Sequence, residues 1–192
     1  MRIPLAVLLT ALAAPAFAQP IATFDTELVK GQCRFIEDDG EVGHYALKRC
    51  PGLGGAKVYI EAGVHMVGLY FGWGKTYSET VLKSDSIGLK VEWRGTGTKA
   101  AFKPHATIVT AIIKDREAEK DYKILAVIRM EKRTACLMAL IDEGSPDALT
   151  LARTTADTEA PKFSCQKGVP RIVGAPSYWA QQIIGFEGDI PE

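Results

Sequence analysis

Apolar and polar residues alternate with a period of two over much of this chain, the pattern of strands that bury one face. Ile87, Leu89, Val91 and Trp93 fall on one face of a strand over 87–93, with Gly88, Lys90, Glu92 and Arg94 on the other. Val58, Ile60, Val64 and Met66 alternate likewise, predicting strands over 57–61 and 64–70 joined by a hairpin at Glu61-Ala62-Gly63. Extended segments are also expected over 42–49, 77–81 and 104–113, and a hairpin pairs 122–130 with 134–141 across Glu131-Lys132-Arg133. Pro51-Gly52-Leu53-Gly54-Gly55 forces a turn, because proline fixes its own φ and glycine admits positive values. Gly95-Thr96-Gly97-Thr98 reads as a sharply turned linker.

Helical periodicity is rarer. The persuasive case starts with Ser145 as cap and Pro146 at the first helical position, where its missing N–H has no intrahelical role. Leu149, Ala152, Ala156 and Ala160 then follow at roughly helical spacing until Pro161 stops the run. A short helical turn capped by Asp25 and ending at Lys30 is expected near the start, and another segment over 177–184. The pattern predicts an α+β fold that is mainly antiparallel β: a single disulfide-stapled domain, sandwich or partial barrel, with one late helix.

The start of the chain changes the setting. Met1-Arg2 is followed by an apolar run over 4–14, and Ala16-Phe17-Ala18 fits an A-x-A cleavage site. Residues 1–18 therefore read as a signal peptide and 19–192 as the mature domain, periplasmic or secreted. The apolar run is too short to span a bilayer, so no membrane span is expected. Export permits disulfides, and Cys33, Cys50, Cys136 and Cys165 allow three pairings. Proximity favours Cys33–Cys50 and Cys136–Cys165, although strands distant in sequence can also pair. The cysteines form no C-x-x-C and are too widely spaced for a typical structural zinc site.

Charge narrows the partners. Lys plus Arg number 23 and Asp plus Glu 23, so the excess positive charge of a nucleic-acid binder is missing and no nucleic-acid partner is expected. Lys48-Arg49 and Lys132-Arg133 read as solvated surface, and the acidic run 37–41 as a solvated turn. Asp115, Glu117, Glu119 and Asp121 alternate with cations, as in a solvated hairpin. Gly52-Leu53-Gly54-Gly55 lacks the lysine and hydroxyl of a phosphate loop, and no G-x-S-x-G elbow occurs. His44, His65 and His105 make no close pair, so the spacing implies neither a metal site nor a cofactor.

Trp73 is the side chain of most interest. It lies between glycines, near Tyr70, Phe71 and Tyr77, and either packs in the core beside a tight bend or anchors a partner. Tyr70, Trp73, Tyr77 and Arg94 are the candidate binding surface, with Arg94 facing outward to pair with a carboxylate or hold a ligand.

The order of Cys33, Cys50-Pro51-Gly52, Val91-Glu92-Trp93-Arg94, Cys136, Leu151-Ala152-Arg153, Ala156-Asp157 and Phe163-Ser164-Cys165 resembles a group of small exported alphaproteobacterial proteins of unsettled function. The resemblance implies paired structural disulfides and a periplasmic setting, and it supplies no catalytic assignment. Two function classes follow. The first is a non-enzymatic envelope protein, binding or structural, with an envelope protein, a peptidoglycan fragment or a small ligand as partner. The alternative is a periplasmic hydrolase whose residues come from several strands.

Overall fold

A computed structural model describes residues 20–29, 31–38 and 45–185. In chain order the strands are β1 (Ile21–Glu27), β2 (Arg34–Asp38), β3 (Tyr45–Cys50), β4 (Lys57–Gly63), β5 (Val67–Trp73), β6 (Thr76–Tyr77), β7 (Leu82–Ser84), β8 (Ser86–Thr96), β9 (Lys103–Asp115), β10 (Lys120–Glu131) and β11 (Thr134–Asp142). Helix α1 (Ala148–Thr158), strand β12 (Arg171–Ile172) and helix α2 (Tyr178–Gly185) complete the described elements. The proposed signal peptide, His44 and most of the acidic turn lie outside the described residues.

Two sheets form. The first runs β1-β8-β9-β10-β11-β12 and is antiparallel except for the β11–β12 pair. The second runs β2-β3-β4-β5-β6, with β7 also paired to β5. Their facing sides share one core. Leu69 and Phe71 of the second sheet meet Val91, Trp93, Val109, Ala111, Ile124, Ala126 and Ile128 of the first, all buried. Trp93 fixes this contact. Its fully buried ring stands edge-on to Phe71 at 5.7 Å, and its indole N–H donates to Thr26 Oγ1 at 2.8 Å. The hydroxyl prevents burial of an unsatisfied indole N–H.

The other face of the first sheet is buried too. Ile108, Leu125, Val127, Met138 and Ile141 pack under α1 through Ala148, Ala152 and Ala156. Small side chains let the helix lie close to the sheet. The two-sided burial explains why β10 is almost continuously apolar: Ile124, Ala126 and Ile128 face the second sheet, whereas Leu125 and Val127 face the helix. A bulge in β11 keeps both layers filled. Val127 pairs with Ala139 and Ile128 with Leu137, leaving Met138 as the extra residue. Met138 and Ala139 therefore both join the helix-side core.

The fold is the mainly antiparallel, disulfide-stapled arrangement expected, built as a sandwich with a helix on its outside. Both favoured cysteine pairings are present, Cys33–Cys50 and Cys136–Cys165. Several local expectations differ. The segment at Asp25 is strand β1, because Phe24 pairs with Trp93 and Ala22, Phe24 and Thr26 turn inward; the gain from sheet pairing outweighs a short helix. The β4–β5 hairpin turns at 64–66, three residues later than expected, which leaves His65 exposed in the turn. Leu89 is 67% exposed, since the irregular pairing between Ile87 and Val91 breaks the alternation there. Helix α1 starts at Ala148, with Asp147 at a positive φ and no side-chain cap, so Ala148 and not Leu149 faces the sheet. At α2, Ser177 Oγ accepts from the Ala180 N–H and donates to Asp142, fixing the short helix expected there.

The Cys136–Cys165 bridge ties the segment after α1 back to β11. Replacing both cysteines by serine is expected to lower the unfolding free energy by about 2–5 kcal/mol. Urea denaturation measures this, and a loss well under about 1 kcal/mol would contradict a structural role for the bridge.

Candidate functional site

Alternation along β8 sends Val91 and Trp93 into the core between sheets and Glu92 and Arg94 toward α1. The expectation that Arg94 faces outward and pairs with a carboxylate therefore needs one change: the outward face is covered by the helix. Arg94 Nε donates to Asp157 Oδ1 at 3.0 Å and Nη2 donates to Asp157 Oδ2. Its Nη1 also reaches Thr23 Oγ1 at 2.7 Å and Glu92 Oε1 at 3.3 Å. Glu92 in turn accepts from Arg153, from Nε at 2.9 Å and from Nη2 at 2.7 Å. Two guanidiniums and two carboxylates thus interlock strand and helix, each acid held by a forked pair of hydrogen bonds.

The cluster is balanced in charge, and its electrostatics follow from that. Burial pushes the Glu92 carboxyl up, but the hydrogen bonds and charge of Arg153, then of Arg94, outweigh it and hold the group below the ordinary carboxylate range. The hydrogen bond to Asp157 raises Arg94 further, against the effect of burial.

Beside this joint, one end of the sandwich opens into a cleft of about 980 Å³, at the upper end of the range of small-ligand pockets. It is lined by the tip of the β5–β6 hairpin at Trp73, by Phe102 to His105 entering β9, by Arg129 to Arg133 around the β10–β11 turn, and by Pro161 after α1. Gly54 belongs to its wall: it adopts φ +61°, and a Cβ there would strike the Pro104 ring. Trp73 is half-buried, part of it against the core between the sheets and part of it in the cleft. The ring thus supports the core and also lines the cleft.

The cleft's charges are unbalanced. Lys103, Arg129, Lys132 and Arg133 line it against a single carboxylate, Glu131. Glu131 Oε1 already accepts from the Cys165 N–H at 3.1 Å. Arg129 donates from Nη1 to the His105 carbonyl at 3.1 Å, and its sealed Nε lies 3.9 Å from Glu131, too far for a hydrogen bond. His105 Nε2, also sealed, stands 3.5 Å from Asp157 Oδ1 without a formed hydrogen bond. Burial pushes this imidazole below its ordinary range; Asp157 pulls it back up, while Arg129 and Arg94 push it down again. Burial thus favours the uncharged ring.

The remaining candidates lie elsewhere. Tyr70 and Tyr77 project from the outer face of the second sheet, where they meet Tyr59. Tyr59 and Tyr70 stack at 5.2 Å, and Tyr77 stands edge-on to Tyr59 at 5.1 Å. Gly72 makes this possible, since a Cβ there would come within 2.5 Å of the Tyr59 ring. Burial, then the neighbouring Tyr45, Glu61 and tyrosines, push the Tyr70 phenol up to about 12. Period-two geometry puts Tyr70 and Trp73 on opposite faces of β5, so Trp73, the tyrosines and Arg94 belong to three separate places.

Sequence reasoning missed His105, Arg129 and Asp157 as neighbours. Signals existed: Arg129 is the lone cation within the otherwise apolar run 124–130, and the order Glu-x-Arg on β8 mirrors Arg-x-x-x-Asp on α1. Among the described residues, no group of three or more His, Cys, Asp or Glu side chains is arranged to hold a metal ion. No helix among them is long and apolar enough to cross a membrane.

No family model, curated protein or solved structure matches the chain. The site is therefore interpreted from its own chemistry.

Arg153→Ala tests the joint. It removes two charge-assisted hydrogen bonds from buried Glu92 and is expected to cost about 1–3 kcal/mol at pH 7. Glu92 titrates lower in the folded chain than unfolded, so its stabilisation holds above its unfolded pKa of about 4.3 and fades as pH falls through the folded value. Without Arg153 that folded value rises, and acid unfolding moves to higher pH. Circular dichroism against pH measures the shift, and an unchanged acid midpoint would contradict the role assigned to Arg153.

Proposed function

We propose that this is a non-enzymatic binding protein of the bacterial cell envelope that engages its partner in the cleft beside Trp73. One observation carries the reading: an aromatic ring, anchored in the core on one side, lines a cleft large enough for a small ligand and walled by separate loops. A rigid, stapled sandwich that displays loops at one end suits recognition. The strongest ion pairs nearby, Glu92–Arg153 and Arg94–Asp157, join helix to sheet, so their charges already have structural work. The exported setting is supported by the signal-like residues 1–18 and by the paired cysteines. An envelope protein, a peptidoglycan fragment or a small ligand are the partners in view.

Trp73→Ala is expected to abolish capture of the partner from periplasmic extract in a chain that still folds, with a lowered thermal midpoint because the core-facing side of the ring is lost. Affinity capture with the oxidised mature chain, read by mass spectrometry beside a melting curve, measures both. Capture lost only together with folding would reject the cleft as the binding surface.

A second reading has one specific observation in its favour. His105 lines the cleft with its Nε2 3.5 Å from Asp157 Oδ1, and an imidazole held next to a carboxylate is a general-base arrangement. On this reading the protein is a periplasmic hydrolase. The first reading expects no His105-dependent turnover of ester, glycoside or peptide substrates. Hydrolysis abolished by His105→Gln, with the fold intact, would decide for the enzyme.

A further inference from the structure

The ionic joint and the cleft are neighbours with opposite bookkeeping. In the joint, two carboxylates answer two guanidiniums. In the cleft, four cations face one carboxylate whose Oε1 already accepts from a backbone N–H. The whole chain carries equal numbers of acidic and basic residues, so this imbalance is local and does not reflect a generally basic protein.

The β10–β11 turn supplies two of these cations. Glu131 pairs with Thr134, so Lys132 and Arg133 are its two-residue loop. Arg133 sits at φ 68°, a left-handed conformation that glycine or asparagine adopts at far lower cost. A cation thus occupies a backbone position that disfavours it, at the rim of a cleft already rich in cations. Glu119 and Asp147 adopt the same conformation away from the cleft; at Arg133 it sets the side chain at the cleft rim. Deeper in, Arg129 lines the same cleft as Phe102, Pro104 and Trp73, its Nε sealed from solvent and without a hydrogen-bond acceptor.

We infer that the cleft binds an organic anion bearing more than one carboxylate or phosphate, with its charges on Arg129, Lys132 and Arg133 and its ring or apolar part against Trp73. The inference rests on the binding role proposed above and specifies its ligand. Guanidiniums suit such groups because their forked N–H donors match carboxylate and phosphate oxygens. Attraction in a half-buried cleft survives moderate salt better than attraction at an open surface, yet still weakens as salt rises.

A rival basic cluster lies among the described residues. Arg34 and Arg49 lie directly opposite each other on β2 and β3, near Lys57, in a smaller pocket that includes Gln32. Like charges directly opposite across strands repel, so this cluster would also gain from an anion. It has no aromatic ring on its wall and supplies the control.

Isothermal titration of the oxidised mature chain at low ionic strength uses triglutamate and citrate as carboxylate probes, inorganic pyrophosphate as the phosphate probe, and neutral chitotriose. At least one anionic probe is expected to bind with unit stoichiometry, and the better class identifies the charged group. Arg133→Gly is expected to weaken that binding about tenfold or more, the effect of losing a charge-assisted contact. Its melting temperature should stay equal or rise, since glycine fits φ 68° without strain. Arg34→Gln should leave the affinity unchanged. The proposal is overturned if no anionic probe binds, if affinity is indifferent to Arg133→Gly, or if affinity is lost in Arg34→Gln instead. Chitotriose binding that depends on Trp73 but not on Arg133 would overturn the anion while leaving the cleft's binding role intact.

Discussion

The first sheet has to bury both of its faces, and the rest of the structure answers that constraint. Apolar side chains on one face meet a second sheet, with Trp93 at the contact. Alanines of α1 cover the other. Strands with one solvated face alternate cleanly, whereas strands buried on both sides read as nearly continuous apolar runs. Strand β10 is such a run, and the bulge at Met138 lets β11 serve both layers despite the pleat.

Where the covered face leaves apolar packing, it becomes ionic. Glu92 and Arg94 are two residues apart on β8, and Arg153 and Asp157 are four apart on α1, so each spacing puts its pair on one face of its element. The result joins helix and sheet by directional bonds in place of oily contact. Burial makes each of these charges expensive if left alone, and pairing with forked geometry offsets that cost. This balanced cluster also sets off the cleft beside it. There the cations outnumber the acids, a turn residue is held in a left-handed conformation, and a half-buried indole shares the wall.

Much of the sandwich was legible in the sequence because its signals are local. The strands over 104–113, 122–130 and 134–141 announce themselves by composition and turn residues, and the nearer cysteines do pair. Helix α1 was legible in outline: Ala152, Ala156 and Ala160 are buried as their spacing predicts, and the difference is at its start, where Ala148 turns inward in place of Leu149. The errors arose where distant partners decide. Residues 21–27 are a strand only because β8 lies alongside, and Leu89 leaves the core because β9 pairs with its neighbours irregularly. The candidate site was less legible. Trp73 stood out by its glycine neighbours, but alternation sends Tyr70 to the opposite face, and the polar face of β8 signalled its helix cover only through the matching spacing of Glu92 and Arg94 with Arg153 and Asp157. The neighbourhood of His105, Arg129 and Asp157 spans three elements that only the fold assembles.

The cleft at the Trp73 end is the proposed binding surface. The most direct measurement is an amide and indole chemical-shift map of the oxidised mature chain, titrated with whichever anionic probe binds most tightly. Shifts are predicted at the Trp73 indole N–H and at the backbone of 102–105 and 130–134, with the tyrosine face and the exposed side of α1 unmoved. Shifts centred on Tyr70 and Tyr77, or on Arg34 and Arg49, with the Trp73 signal unchanged, would contradict it.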